Sequence, residues 1–156
     1  MAPKDAHAPT LPALLRFARA TYAAAIRDVL AEQHMADVPR NGPVVLGALA
    51  RGASPLGDII KQIGVSKQAA GQLVDTLVAR GYLDRQVDAE DRRRLTITLT
   101  TRGRAAARAS QMAVEHVNKA LLSRVSPQRI AQAREVLAAI AEIGRDRAEF
   151  RDGQTD

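Results

Sequence analysis

The apolar positions of the chain fall into two periods, and the change between them marks its organisation. Leu14, Ala18, Ala25, Val29 and Leu30 recur at helical spacing, and Thr10 ahead of Leu11-Pro12 offers an N-cap with proline in the first turn. The spacing predicts a first helix over residues 11–35. The run DVPRNGP at 37–43 is rich in breakers, after which 44–51 reads as a short apolar helix closed by Gly52. Ser54-Pro55 repeats the cap-and-proline pattern and opens a helix over 55–63 that ends at Gly64. Gly64-Val65-Ser66 separates it from a helix over 67–80, with Ser66 as the cap. Two helices joined by a three-residue turn containing glycine make a helix-turn-helix unit. In its second helix Ala70, Leu73, Val74 and Leu77 share one face, which leaves Lys67, Gln68, Gly71, Gln72, Asp75 and Thr76 outward.

After Gly81 the period becomes two. Leu95, Ile97 and Leu99 alternate with Thr96, Thr98 and Thr100, a half-buried strand of β-formers, and 83–87 is a weaker partner strand. Residues 88–94 (DAEDRRR) are too polar for a core and fall where a hairpin loop must be. Helical patterns resume over 101–125 and, after Ser126-Pro127, over 127–145, with Ile130, Leu137, Ile140 and Ala141 on the apolar side. The expected architecture is mainly α: a winged helix-turn-helix with a small two- or three-stranded wing sheet and long N- and C-terminal dimerisation helices. Its parts are a flexible arm (1–10), an N-terminal dimerisation helix (11–36), the winged lobe (41–100), C-terminal dimerisation helices (101–146) and a flexible tail (147–156). A second copy is the economical cover for helices that the winged lobe does not need.

Composition narrows the chemistry. The 156 residues suffice for one core, and the 46% hydrophobic content with only 3% aromatic favours closely packed, alanine-rich helices over an aromatic-lined catalytic pocket. Twenty-three basic against seventeen acidic residues give +6, which favours a polyanionic partner. No cysteine is present, so disulfides, thiolate catalysis and Cys-ligated zinc are excluded. No apolar run spans a membrane and the N-terminus does not read as a signal peptide, so the expected setting is cytoplasmic. His7, His34 and His116 lack metal-ligand spacing, and no nucleophile elbow or phosphate loop occurs. Neither a metal, a cofactor nor an enzymatic activity is expected.

The segment DAEDRRRLTITLTTRG at 88–103 resembles the wing of the MarR family of bacterial transcriptional regulators, through Asp88, Asp91, Arg92, Arg93, Leu99, Thr100 and Gly103. The resemblance extends over about 11–146, including VSKQAAGQLVDTLVARGYL. It implies a homodimer with interlocked terminal helices, binding a palindromic double-stranded DNA operator, most often as a repressor released by a phenolic or other aromatic anion. It also implies that Arg93 enters the minor groove and that Asp91 braces the loop. The side chains agree independently: Arg92, Arg93 and Arg94 suit a narrow groove, Ser66 and Lys67 suit phosphate, and Gln68 and Gln72 suit adenine. Gly71 and Gln72 depart from relatives, which resemble one another in having serine or threonine, then arginine, at these positions. For a ligand pocket between dimer helices and lobe, the candidates are Arg16, Tyr22 and His34 on the first helix, and Met112 and His116 on the helix after the wing. Two rival readings stay open: a protein-binding adaptor with a degenerate winged helix, and a sequence-independent architectural DNA binder.

Overall fold

The computed structural model describes residues 8–52, 59, 63–87 and 95–152. The elements run α1 (Leu11–Glu32), α2 (Gly42–Ala50), α3 (Lys67–Ala79), β1 (Leu83–Val87), β2 (Leu95–Leu99), α4 (Thr101–Leu122) and α5 (Pro127–Asp152). The expected helix over 55–63 lies outside the described residues except for Ile59 and Ile63, of which Ile59 is buried. The chain divides into two compact units, Met1–Val117 and Asn118–Asp156.

In the first unit the core gathers Leu30 and Met35, Val45 and Leu46 of α2, Ile59, Val74 and Leu77 of α3, Tyr82 and Leu83, and the small residues Ala106, Ala107 and Ala109 of α4. Alanine here allows close approach: Ala106, Ala109 and Ala113 bury one stripe of α4, and the buried Ser110 hydroxyl donates back to the Ala106 carbonyl at 2.8 Å. Burial of this narrow stripe helps the helix to form, while Met112, Leu121 and Leu122 stay exposed. α1 is divided along its length. Its C-terminal half ends in buried Leu30, whereas Leu11, Leu14 and Phe17 remain in solvent.

Several ends differ from the sequence expectation. Thr10 has the extended backbone of an N-cap but makes no side-chain cap bond. α1 stops at Glu32 rather than near Met35, because His34 takes a left-handed φ of 58°. The Met35 N–H then donates to the Leu30 carbonyl at 2.7 Å and the His34 N–H to Ala31 at 3.1 Å. This is a Schellman cap, and it turns Met35, read as the helix end, down into the core. α2 begins at Gly42 with proline in its first turn, and α4 ends at Leu122.

β1 and β2 form an antiparallel pair in the register Leu83 with Leu99, Arg85 with Ile97, and Val87 with Leu95. Its inner end is fixed to α4 by one carbonyl. Thr100 donates to the Tyr82 oxygen from its backbone N–H and from its hydroxyl, each at 3.2 Å, and the hydroxyl also reaches the Gly81 oxygen at 2.6 Å. The same hydroxyl accepts from Gly103 N–H at 2.9 Å, capping α4. A Cβ at 103 would sit 2.0 Å from the Tyr82 oxygen, so only glycine lets the helix start there. Gly103→Ala is expected to cost about 3 kcal/mol of stability, read by urea unfolding, because the obstruction is backbone and cannot rotate away. A variant as stable as wild type would show that α4 can shift freely against the sheet.

A polar clasp sits beside this junction. Tyr82 is fully buried, and its hydroxyl donates to Asp37 Oδ1 at 2.5 Å; Arg102 donates to the same oxygen at 2.9 Å and lies over the Tyr82 ring, 4.6 Å from its centroid. The Arg80 guanidinium donates to the Asp37 carbonyl. The connector after α1 is thus tied to the end of α3 and the start of α4. The Tyr82 hydroxyl, opposed by partial desolvation and helped by Arg102, holds the Asp37 carboxyl below its ordinary 3.8. Burial, then the Asp37 hydrogen bond, pushes the Tyr82 phenol above its ordinary 10.0. The Asp37 contribution is therefore present above pH 3.8 and lost as pH falls through the lowered value. The Tyr82 contribution is complete below pH 10.0 and lost as pH rises through the raised value. Tyr82→Phe should cost about 1–2 kcal/mol at neutral pH, and should reduce the acid-side slope of stability measured by denaturation from pH 2 upward. An unchanged acid slope would mean that Asp37 does not depend on the phenol.

In the second unit, the chain turns after α4 through Ser123, whose hydroxyl donates to Ala120 at 2.8 Å, and through Arg124, whose N–H donates to Leu121 at 2.9 Å. Ser126 Oγ accepts from Arg129 N–H at 3.5 Å at the start of α5. α5 continues to Asp152, past the end near 145 expected from its pattern and through 147–152, assigned by sequence to the tail. Its apolar residues Val136, Leu137, Ile140 and Ile143 are exposed, where the sequence pattern marks a buried side. Among the described residues no helix is long and apolar enough to cross a membrane.

Candidate nucleic-acid interface

The turn before α3 is built by Gly64, at a left-handed φ of 68°, and by Ser66, whose Oγ accepts from Ala69 N–H at 3.2 Å. The cap fixes where α3 begins and so which residues face out. Ala70, Val74 and Leu77 are buried and Leu73 is half-buried; Lys67, Gln68, Gly71, Gln72 and Asp75 are exposed. Thr76, read as outward, is half-buried and its hydroxyl donates to the Gln72 carbonyl at 2.7 Å.

The sequence-derived contacts on this helix thus share one surface. Ser66 has spent its oxygen on the cap, which leaves its hydroxyl hydrogen to offer a phosphate, next to the positive end of the helix and the Lys67 ammonium. Lys67, Gln68 and Gln72 make no side-chain hydrogen bond or ion pair among the described residues, so both carboxamides are free to pair outward. Gly71 lies between them, and a Cβ there would meet nothing within 4 Å. The protein's own packing does not require glycine at this point. In the interior of an exposed helix it costs about 1 kcal/mol relative to alanine, and what it provides is clearance on the outer surface.

The wing residues Asp91, Arg92, Arg93 and Arg94 lie outside the described residues. The strands that carry them are present, and β1 packs on α3 through a contact that sequence reading missed: Arg85 Nη2 donates to Asp75 Oδ1. The signal was there. Arg85 has the inward parity of Leu83, a position where a strand of this kind should be apolar.

The ligand candidates do not converge on the cleft found in this unit. That cleft, about 510 Å³, lies between the end of α2, β2 and the first turns of α4, and is lined by Leu49, Ala50, Ile97, Thr98, Leu99, Arg104 and Arg108. Arg104 is held there by a bond to the Leu99 carbonyl at 2.6 Å. Arg16 stands exposed on α1, 5.4 Å from the centroid of the Phe17 ring; Tyr22 is half-buried; His34 is exposed in the helix cap; Met112 and His116 are exposed on α4. Among the described residues no group of three or more His, Cys, Asp or Glu comes together that could hold a metal.

Gln72 offers a donor and an acceptor, which match adenine N7 and N6, whereas guanine presents two acceptors. Half-sites varied at each position should therefore show an adenine preference worth about 1–3 kcal/mol that Gln72→Ala flattens and Gln72→Arg moves toward guanine. The same preference in all three proteins, at fixed salt, would take Gln72 out of base reading.

Residues 36–94 match the family model described as MarR family. No curated protein sequence matches the chain. Among solved structures the chain is similar to S. aureus MepR in complex with DNA, at 24% identity and a TM-score of 0.69, covering 86% of this chain and 98% of that one. It is similar to Bordetella bronchiseptica BpsR, described in terms of regulation of DNA binding by 6-hydroxynicotinic acid, at 22% identity and 0.64, covering 90% and 97%. It is also similar to the PcaV transcriptional regulator from Streptomyces coelicolor, in complex with its natural ligand, at 20% identity and 0.66, covering 91% and 97%. These likenesses establish the fold.

Proposed function

We infer that this chain, which matches the MarR family model over residues 36–94, is a member of that family: a homodimeric, sequence-specific DNA-binding repressor that a small aromatic anion releases. The family consists of DNA-binding transcriptional regulators rather than enzymes. The observation that carries the finer reading is the outer face of α3: Lys67, Gln68 and Gln72 exposed and unengaged among the described residues, on a helix whose start is fixed by the Ser66 cap. Such a face, presented beside a two-stranded sheet, has the form of a helix that enters a major groove while the wing follows the flanking minor groove.

Dimerisation is supported by apolar side chains that one chain leaves in solvent. Phe17 is 54% exposed and Ile143 59% exposed, with Leu11 and Leu14 on α1 and Val136, Leu137 and Ile140 on α5. A second copy related by a two-fold axis would cover them, and would make the operator palindromic. Release by an aromatic anion rests on the family resemblance and on the 6-hydroxynicotinic acid named for BpsR. Arg16, Tyr22, His34, Met112 and His116 remain the candidate contacts for it.

Selection of binding sites from a random DNA pool tests the reading. A regulator yields one palindromic site and keeps it against excess bulk DNA; an architectural protein yields no preferred site; an adaptor binds neither. With that site in hand, Arg93→Ala should weaken binding by about 1–3 kcal/mol per lobe. Equal affinity of wild type and variant at matched salt would remove the wing from the interface.

A further inference from the structure

The outer stripe of α3 carries an acid. Gln68, Gln72 and Asp75 follow i, i+4, i+7 spacing, so the carboxylate of Asp75 stands in line with the two carboxamides. A bare carboxylate in the middle of a surface that meets a polyanion would oppose binding of every DNA sequence. It is not bare: Arg85 of β1 reaches across and pairs with it. The side chains are 45% and 63% exposed, so the pair is solvated and contributes little to folding. Its consequence is for the charge that this surface presents. Arg85 also lies on β1, the strand that leads into the wing, so a guanidinium freed from Asp75 would add a cation beside the face that α3 offers to DNA on that reading.

We propose that Asp75 masks Arg85, withholding one phosphate contact per lobe so that binding depends on base reading rather than on sequence-independent attraction. The inference rests on the DNA-binding reading above. Sequence-independent affinity comes from phosphates neutralised and counterions released, and each additional contact steepens the dependence of log K on log salt by about 0.9. Specificity is the ratio of specific to bulk binding, so a cation that binds any phosphate raises the denominator as well as the numerator. The carboxylate cancels that cation while the Arg85 side chain stays in place beside α3.

The test measures binding of the full-length protein to its selected site and to a random-sequence duplex across a salt series, for wild type, Asp75→Asn, Arg85→Gln and the double variant. Circular dichroism confirms that each is folded. With Asp75→Asn the random duplex should bind about fivefold more tightly per lobe near physiological salt, with a salt slope steeper by about 0.9 per lobe. Arg85→Gln should weaken both duplexes, because the carboxylate is then unmasked, and the double variant should return close to wild type. If Asp75→Asn leaves the random duplex and the slope unchanged, the masking is wrong. If it loses affinity only for the selected site, and only where that site carries one particular base pair, Asp75 reads a base instead and the proposal falls. Wild-type protein with no affinity for any DNA would overturn the DNA-binding reading itself, and the masking with it, whereas the other failures leave that reading standing.

Discussion

The carbonyl of Tyr82 is the point on which the geometry of the winged lobe turns. It accepts from the Thr100 backbone and hydroxyl, so the ends of β1 and β2 are closed against each other. It also abuts the first turn of α4 so tightly that residue 103 has no room for a Cβ. The Tyr82 side chain, buried on the other side of the same residue, anchors Asp37 and, with it, the connector between α1 and α2. Backbone and side chain of one residue thereby tie α3, the sheet, α4 and the α1–α2 connector together. The end of α3 at Ala79 and the start of β1 at Leu83 lie on either side of this junction. The stretch Leu99-Thr100 followed by Gly103, which carried much of the resemblance, is accordingly a packing device: Thr100 caps a helix and ties a sheet, and Gly103 makes space for a carbonyl.

α3 shows how two demands share one helix. Its inner face is built of Ala70, Val74 and Leu77, well-packed and unexceptional. Its outer face forgoes helix propensity at Gly71, where nothing within the protein would obstruct a side chain. Stability alone would place alanine there. The open surface around Gly71 and the free amides on either side of it are better explained by close approach of another molecule's surface than by folding. The helix is nonetheless rigid where it must be, since the Ser66 cap and the buried stripe fix its start and its rotation.

Much of this was legible in the sequence, for reasons that are local. Period 3.6 with caps and breakers placed the described helices, period 2 placed both strands, and the outward residues of α3 other than Thr76 followed from its inward ones. What escaped was set by tertiary contact. Met35 continues the apolar pattern of α1, and only the left-handed His34 shows that it is the far side of a cap. Asp37, Tyr82 and Arg102 are ordinary residues far apart in the chain, and nothing short of the fold brings them together. Asp75 on the outward face of α3 and Arg85 at the parity of Leu83 each stand in the sequence, but pairing them needs the packing of α3 on β1. The length of α5 was underestimated because its end carries few apolar residues to mark the period.

The arginines of the lobe also show why net charge is a poor measure of how a protein meets DNA. A surplus of +6 suggests a surface ready to neutralise phosphate. Yet Arg80 donates to the Asp37 carbonyl, Arg102 to the Asp37 carboxylate, Arg104 to the Leu99 carbonyl and Arg85 to Asp75. These cations have structural work within the lobe, and their guanidinium forks suit it because one group can satisfy a carbonyl or carboxylate while its stem packs. On the outer face of α3 the remaining charged group outside such a pair is Lys67, at the end of the helix where phosphate is best held. The middle of the face is left to uncharged amides and to clearance. On the proposed DNA-binding reading, such a surface would discriminate among sequences, because phosphate contacts at its edge would fix register and the amides at its centre would decide whether that register is worth keeping.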